Sequence, residues 1–386
     1  MTSLDAGLAG GEGSDERRRV QRRIYLDDAG AAPLLPEVAA ALRDLTTANP
    51  SSLHVEGRAA RAALDRARDA AAAELGADRS EITFTSSGTE SVNLALFGSA
   101  RRLPKKARIL TWAAEHQSVL GPARRLQAEG HRVTIAEVDG AARADPDAIT
   151  TDTALVSIGL ANNEVGTVQP VDEIVRRAHE VGALVHLDAC AGPRWIQVPH
   201  GPDLISISGQ KLGAGGGGVL FVRDGVRIEP LLYGGPQEWG RRAGREDVAG
   251  AIAVSTALAI SGRDRAGRAV VAAQHSEVLR ALLEECGGRL TGASLRLPNF
   301  ASATFPARRG EDMLLALDVA GVAASSGSAC ASGSLDPSHV LLAMGLGMEE
   351  ALGSLRLTIG YGTTGDDLAL ARAILSSVLA PTAARA

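Results

Sequence analysis

The chain has 386 residues, of which 45% are hydrophobic and 22% charged, and its formal net charge is −5. This size supports a large buried core in one large or two medium domains, and the small negative charge gives no reason to expect nucleic-acid binding. No apolar run reaches the roughly 18 residues of a membrane span, and three scattered cysteines suit neither a disulfide framework nor a zinc site, so we expect a cytoplasmic protein with free thiols.

Residues 1–23 are predicted to form a disordered tail, because they are polar and lack the apolar centre of a secretory signal. From residue 24 onward, short β-rich runs alternate with alanine-rich amphipathic stretches such as 56–76 and 171–182. The β-rich runs predict seven strands, at 81–85, 107–112, 132–138, 154–160, 183–189, 203–208 and 217–222. Near-continuous apolar strands separated by helices are typical of a mostly parallel sheet with both faces covered. The predicted fold class is therefore α/β, with residues 24–262 as the large domain.

The pattern changes after residue 262 to a long helix, followed by strands near 299–306 and 354–361. Residues 263–386 are therefore predicted to form a smaller α+β domain, and the first residues of 24–262 can pack against it.

The segment after the first predicted strand of the sheet reads SSGTES. Ser87 and Glu90 have the spacing of a capping box. A helix N-terminus that follows a small-residue loop is suited to bind an anion, and an ordinary capped helix explains the same residues equally well.

Three further strand ends carry polar residues. His116 follows strand 107–112, the turn ANNEVG follows strand 154–160, and Asp188 lies at the end of strand 183–189. The histidine could be structural, and turn chemistry explains at least one asparagine. The carboxylate of Asp188 is costly to bury unless something positive faces it, so Asp188 is a candidate functional residue.

Lys211 lies just beyond strand 203–208, in the stretch GQKLGAGGGG. The glycines match a dinucleotide fingerprint by chance, because a strand follows them where that fingerprint needs a helix. Glycines have no side chains, so a lysine among them indicates an amine with room to attack a carbonyl. An anion cradle, an imidazole, a buried carboxylate and a nucleophilic amine at successive strand ends are together what a pyridoxal phosphate site requires.

Cys330 stands in the run SSGSACASGSL (325–335). A cysteine kept for packing usually has branched apolar neighbours, whereas this one has serine, glycine and alanine on both sides. The composition predicts a mobile loop with a reachable thiol.

Together these residues resemble those of the cysteine desulfurases, which are pyridoxal-phosphate enzymes of fold type I. The resemblance extends from about residue 24 to 375, and its motifs are YLDDAGAAP (25–33), NPSSLHVEGRAAR (49–61), FTSSGTESVNLA (84–95), EHQSVL (115–120), ANNEVG (161–166), HLDA (186–189), SGQK (208–211), SSGSAC (325–330) and SLRLTIG (354–360). The cysteine loop is of the longer kind, so the chain is similar to the class whose cysteine travels on a mobile segment.

The resemblance implies a reaction and a cofactor. L-Cysteine would be converted to L-alanine on pyridoxal 5'-phosphate, and Cys330 would take the sulfur as a persulfide and carry it to an acceptor protein. Iron–sulfur scaffolds, tRNA thiolation enzymes, DNA sulfur modification and sulfur-containing natural products are all possible destinations. The family also implies a homodimer in which each subunit completes the other's active site.

The resemblance also implies a role for each matching residue. Lys211 would bind the cofactor aldehyde and remove the substrate's α-proton, Asp188 would pair with the pyridine nitrogen, and His116 would stack on the ring. The predicted phosphate ligands are Gly88, Thr89, Ser208 and Gln210. The predicted ligands of the substrate carboxylate are Asn162, which also contacts the cofactor, and Arg356.

The chain departs from the family pattern at four positions. Gln210 stands where a histidine is usual, and Ala191 stands where a glutamine usually contacts the cofactor's phenolic oxygen. Arg245 occupies the place of a threonine that reaches the partner subunit's phosphate, and we expect it to supply that contact across a dimer interface. Cys190 replaces a threonine, and we expect it to be buried packing and not a reactive thiol.

Two other functions remain open at this point. A related pyridoxal-phosphate lyase would release sulfide from another thiol or selenol substrate, but it would need no mobile acceptor cysteine. A weakly active homologue could instead act as a scaffold for partner proteins, which the changes at Ala191 and Gln210 would permit.

Overall fold

The structure is a computed structural model that describes residues 23–43, 45, 48–327 and 336–380. Most of the predicted N-terminal tail, and Cys330 with the other residues of 328–335, lie outside the described residues. Among the described residues, no helix is both long and apolar enough to cross a membrane.

The N-terminal part begins with a short strand and two helices, namely β1 (Ile24–Tyr25), α1 (Pro36–Leu42) and α2 (Val55–Leu75). The side chain of His54 accepts a hydrogen bond from the Gly57 N–H at the start of α2, and Gly76 ends the helix in the left-handed region at φ 62°. Local hydrogen bonds and a glycine therefore set both ends of α2, and each end lies within one residue of the predicted range 56–76.

The central sheet has seven strands within the described residues: β2 (Ile82–Thr85), β3 (Arg108–Trp112), β4 (Arg132–Ala136), β5 (Thr153–Gly159), β6 (Leu184–Asp188), β7 (Leu204–Ser208) and β8 (Gly218–Val222). Their order is β2-β8-β7-β6-β5-β3-β4, and only β8 runs against the others. This topology confirms the prediction of a mostly parallel seven-stranded sheet. Near-continuous apolar strands are typical of a parallel sheet that is covered on both faces.

Helices follow the strands and cover the sheet: α3 (Gly88–Ala100), α4 (Gln117–Ala128), α5 (Val171–Glu180), α6 (Gly209–Leu212) and α7 (Val248–Glu285). Helix α7 packs its first half, including Val254 and Leu258, into the core around the sheet. Its last turns, with Leu279 and Leu283, belong to the core of the C-terminal part. The predicted domain boundary at 262/263 therefore lies inside one continuous helix.

The C-terminal part contains three helices and three strands before its last strand and helix: β9 (Arg289–Leu290), β10 (Phe300–Thr304), α8 (Gly310–Val319), β11 (Val322–Ala323), α9 (His339–Ala343) and α10 (Met348–Leu352). Strand β12 (Ser354–Thr358) and helix α11 (Gly365–Val378) complete it. Strands β12, β10 and β9 form an antiparallel sheet, and β11 pairs with β1 from the N-terminal segment. The first described residues thus pack with the C-terminal part.

Candidate active site

A cavity of about 330 Å³ lies at the carboxyl ends of the parallel strands, which is where open α/β sheets bind their ligands. Loops after five strands reach it, and β12 contributes one residue from the C-terminal part. Its lining includes most of the predicted site residues: Gly88, Thr89, His116, Asn162, Asp188, Ser208, Gln210, Lys211 and Arg356. These residues are far apart in the chain, and the parallel sheet brings them to one place.

The predicted anion cradle is the N-terminus of α3. Ser87 caps the helix, its side chain accepting a hydrogen bond from the Glu90 N–H at 3.2 Å. The capping box itself is not formed, because the Glu90 carboxylate accepts from the Ser86 N–H at 2.7 Å and pairs with Arg242 at 2.6 Å. The N–H groups of Gly88 and Thr89 precede the first intrahelical hydrogen bond and are suited to an anion.

Gly88 is required by close packing. A Cβ atom there would lie 2.4 Å from the Cys190 sulfur and 2.8 Å from the Ser208 Cβ atom. The missing side chain lets the helix start approach the end of β7, so that the N–H groups of α3 and the Ser208 hydroxyl face one end of the cavity.

His116 is the N-cap of α4. Its Nδ1 atom accepts a hydrogen bond from the Ser118 N–H at 3.0 Å, so the neutral ring carries its proton on Nε2. Burial lowers the pKa of His116, and the negative charge of Asp188 partly offsets this effect. The imidazole is therefore neutral near pH 7, which suits contact with an aromatic ring.

Asp188 and Lys211 lie on the floor of the cavity. Asp188 is buried at the end of β6, and its Oδ1 atom accepts a hydrogen bond from the Cys190 N–H at 3.0 Å. The Lys211 amine donates to the carbonyl oxygen of Ala29 and, at 3.0 Å, to that of Gly30. The N-terminal segment thus holds the amine beside the cavity.

Arg356 brings a buried cation from β12 into the cavity. Its Nη1 atom donates to the carbonyl oxygen of Asn163 and its Nη2 atom to Oδ1 of Asp27, both at 2.7 Å. Its Nε atom is buried without a hydrogen-bond partner among the described residues. A guanidinium held in this way can bind a carboxylate in the cavity.

The two asparagines of the ANNEVG turn differ in what their side chains do. The Asn162 side-chain oxygen accepts from the N–H groups of Glu164 and Val165, and its amide nitrogen donates to the carbonyl oxygen of Ala114. Asn162 therefore mainly holds the turn. Asn163 was not among the predicted site residues, but it lines the cavity, and no described residue makes a hydrogen bond with its side chain.

Glu115 is a second lining residue that the prediction passed over, although it precedes His116 directly. Its carboxyl group is buried, none of the described residues forms an ion pair with it, and burial raises its pKa to about 8. The Gly159 N–H acts against this rise, and the charge of Asp188 adds to it. A protonated carboxyl group therefore borders the cavity at neutral pH.

The positions that depart from the family pattern have distinct environments. The Cys190 thiol lines the cavity, and burial, assisted by Asp188, raises its pKa well above the usual range, so it stays protonated. Ala191 lines the same cavity. The Gln210 amide donates to the carbonyl oxygen of Gly30 at 3.3 Å. Arg245 is exposed and does not line the cavity of its own chain.

These residues fit pyridoxal phosphate. The α3 N-terminus and Ser208 suit the phosphate, the Lys211 amine suits the aldehyde, and the buried Asp188 suits the pyridine nitrogen. Gly88 leaves the space that a phosphate cradle needs, since a side chain there would collide with Cys190.

Comparisons with known proteins agree with this site. The model of the class-V aminotransferase family matches residues 24–370. The cysteine desulfurase IscS of Dictyoglomus turgidum is 40% identical over 380 residues, which span 93% of this chain and 95% of that protein.

Solved structures are similar as well. A NifS-like protein superposes with a TM-score of 0.85 at 30% identity, over 92% of this chain and 98% of the other. SspA in complex with cysteine gives a TM-score of 0.76 at 30% identity, over 87% and 98% of the two chains. The chain therefore belongs to the class-V aminotransferase family and, within it, to the pyridoxal-phosphate-dependent cysteine desulfurases.

Proposed function

We propose that this protein converts L-cysteine to L-alanine and passes the sulfur to Cys330 for delivery to an acceptor protein. The observation that carries the proposal is the convergence of Lys211, Asp188 and Arg356 on one cavity. These residues supply an amine for the cofactor, a carboxylate for its ring nitrogen and a guanidinium for an amino acid. The similar SspA structure holds cysteine, which supports the same substrate here.

The cofactor residues act at defined atoms. Bound pyridoxal phosphate supplies an electron-accepting ring that weakens the bonds at the α-carbon of an amino acid joined to it. The Lys211 amine would make the covalent link to the cofactor and would take the substrate's α-proton, and Asp188 would keep the ring nitrogen protonated. His116 would stack on the cofactor ring and would transfer protons through its Nε2 atom, because Nδ1 already accepts a hydrogen bond from the Ser118 N–H.

Arg356 and Asn163 bind the substrate carboxylate in this proposal. The Arg356 guanidinium is already oriented by Asp27 and by the Asn163 carbonyl group. Asn163 takes the role predicted for Asn162, because the Asn162 amide is occupied by the turn. A pre-oriented guanidinium spends little conformational entropy when the substrate binds.

Cys330 accepts the sulfur. Its thiolate attacks the sulfur of the bound cysteine, so that an S–S bond forms and the substrate's Cβ–S bond breaks. The electron pair of the broken bond stays with the carbon, which is protonated to give alanine. The enzyme keeps a persulfide on Cys330, and no external oxidant or reductant is needed for this step.

The active assembly in this proposal is a cytoplasmic homodimer. Leu232, Tyr233 and Trp239 are exposed large apolar side chains in the segment that leads to Arg245, and an interface would cover them. Arg245 would then reach the phosphate bound by the partner subunit. The acceptor belongs to one of the sulfur-using classes named above, and capture of proteins by the persulfidated enzyme would identify it.

One experiment tests the proposal. The loaded protein should be yellow, make one alanine from each cysteine consumed, and lose this activity in Cys330→Ala. Borohydride reduction followed by peptide mapping should find the cofactor on Lys211. Sulfide release that survives Cys330→Ala would favour a lyase, and a protein that stays colourless with added cofactor would favour a scaffold.

A further inference from the structure

Asp28 and Arg194 form a buried ion pair that the proposed reaction does not use. Each residue is only 2% exposed, and Nη1 of Arg194 donates to both carboxylate oxygens of Asp28 at 2.8 Å. The two residues are 166 positions apart in the chain. Asp28 belongs to the N-terminal segment, and Arg194 lies in the loop that follows β6. The pair therefore joins the N-terminal segment to the loop that begins after Asp188.

Residues 27–30 contact two cavity residues, and Asp28 lies between these contacts. On one side of it, the Asp27 carboxylate accepts a hydrogen bond from the Arg356 guanidinium at 2.7 Å. On the other side, the carbonyl oxygens of the next two residues accept hydrogen bonds from the Lys211 amine. Asp28 itself is not among the residues that line the cavity. A movement of Asp28 would therefore displace partners of both Lys211 and Arg356.

Tyr361 holds Arg194 in place from the loop after β12, the strand that carries Arg356. The guanidinium carbon of Arg194 lies 4.0 Å from the centre of the Tyr361 ring, and the Tyr361 hydroxyl donates to the Arg194 carbonyl oxygen at 2.9 Å. Trp195 packs edge-on against the same ring, with 5.2 Å between the ring centres. The cation–π contact and the hydrogen bond thus fix the guanidinium that binds Asp28.

We propose that Arg194 is a positioning residue of the active site, which acts through Asp28 to fix residues 27–30 and thereby orients the Lys211 amine and the Arg356 guanidinium. The inference rests on the proposed function, because it takes these two groups to bind the cofactor and the substrate carboxylate. A small misplacement of such groups is costly to a reaction, even when its cause lies outside the cavity.

A buried ion pair supplies geometry more clearly than it supplies net stability. Desolvation of the two ions offsets their attraction, so apolar residues of similar volume can often replace such a pair without loss of stability. Removal of one partner has a different effect, because it leaves a buried group without its counterpart. Loss of either Arg194 or Asp28 should therefore free residues 27–30 from the loop after β6.

The test compares Arg194→Met and Asp28→Asn with the wild-type enzyme. Arg68→Met is the matched control, because Arg68 forms a buried ion pair with Glu238 at 2.6 Å and also lies over aromatic rings. The hydrogen bonds of the Arg68 guanidinium go to Glu238 and to a backbone carbonyl group in β2, and not to residues 27–30. The control therefore breaks a similar pair elsewhere in the fold.

The chain has only three lysines, so the Lys211 amine can be followed directly. Lys105 and Lys106 are exposed and serve as internal standards in the same molecule. The first quantity measured is the rate at which trinitrobenzenesulfonate, an amine reagent, modifies Lys211 in the cofactor-free chain, with peptide mapping to assign the label. The others are KM for cysteine in the cofactor-loaded enzyme and the midpoint of urea unfolding.

We expect labelling of Lys211, relative to Lys106, to accelerate about threefold in both Arg194→Met and Asp28→Asn, because a less constrained segment exposes the amine. KM for cysteine should rise about fivefold in both variants, because the partner that orients Arg356 is no longer fixed. Arg68→Met should lower the urea midpoint as these variants do, but its labelling rate and KM should stay within about twofold of the wild-type values.

Wild-type labelling and KM in Arg194→Met would overturn the inference. So would opposite changes in the two variants, since an effect of charge alone would speed labelling of Lys211 in Asp28→Asn, which leaves a cation, and slow it in Arg194→Met, which leaves an anion. Equal changes in Arg68→Met would also refute it, because they would reflect lost stability. If the wild-type enzyme makes no alanine from cysteine, the proposed function fails, whereas labelling of the cofactor-free chain still tests the role of Arg194.

Discussion

Replacement of Glu115 by glutamine should stabilise the protein at alkaline pH and leave its stability unchanged at acid pH. The carboxyl group of Glu115 is fully buried, and its pKa is raised from 4.5 to about 8, chiefly by that burial. Glutamine has nearly the same shape and no charge to bury. The variant therefore removes one titration without creating a cavity.

The pH window and the magnitude follow from linkage. Below pH 4.5 the carboxyl group is protonated in both the folded and the unfolded chain, so the free energy of unfolding does not depend on it. Between 4.5 and about 8 only the folded chain keeps the proton, so stability falls as pH rises, and above about 8 the loss is complete. A shift of one pKa unit corresponds to about 1.4 kcal/mol, so the shift from 4.5 to about 8 sets an upper limit of about 5 kcal/mol on the loss of stability. Relaxation of the residues around the ionised carboxylate should reduce the observed loss to about 2 to 4 kcal/mol.

The assay is urea unfolding of the cofactor-free protein at pH 5, 7 and 9, followed by tryptophan fluorescence. Other buried carboxyl groups are common to both proteins and cancel in the difference. The advantage of Glu115→Gln should grow from pH 5 to pH 9. The control Glu349→Gln, which removes a carboxylate from an exposed site in α10, should follow the wild type throughout. A difference that is constant with pH, or a variant less stable at pH 9, would refute the reasoning.

Three further predictions concern charged groups elsewhere in the fold. Burial lowers the pKa of His186 to about 4, so the free energy of unfolding should fall by up to about 3 kcal/mol as pH drops from 6.5 towards 4. Urea unfolding of His186→Gln should not show this pH dependence. Arg245→Ala should weaken cofactor binding about tenfold, because it removes one charge-assisted contact with the phosphate, and it should leave the dimer intact. Cofactor titration checks the affinity, and analytical ultracentrifugation checks the dimer. Asp27→Asn should raise KM for cysteine about tenfold with an unchanged cofactor spectrum, because Arg356 loses the charge that orients it.

The sequence was sufficient for much of the fold and for the place of the site. Hydrophobic runs located each strand of the large sheet to within two residues, because a parallel sheet buries both faces and its strands must be apolar throughout. Parallel strands also bring their carboxyl ends to one edge. The sequence alone therefore groups residues that lie just after the strands, such as His116 and Lys211, which line one cavity in the structure.

Other features depend on contacts that no local pattern encodes. The Asn162 amide is used by hydrogen bonds within its own turn, and the sequence does not show which of the two adjacent asparagines makes them. The proton on Glu115 at neutral pH follows from burial beside Asp188. The ion pair between Asp28 and Arg194 joins residues 166 positions apart, and a pattern within one segment cannot reveal it.

The N-terminal segment illustrates how such contacts bear on the chemistry. The resemblance identified residues 25–33 as a family motif without giving them a task. In the structure, Asp27 binds Arg356, and the carbonyl groups of Ala29 and Gly30 bind the Lys211 amine. If Lys211 binds the cofactor as proposed, its amine would exchange these hydrogen bonds for new ones, and only the difference between the two sets would contribute to affinity. The same segment pairs with β11 in the C-terminal part, so it connects Lys211 and Arg356 to both parts of the chain.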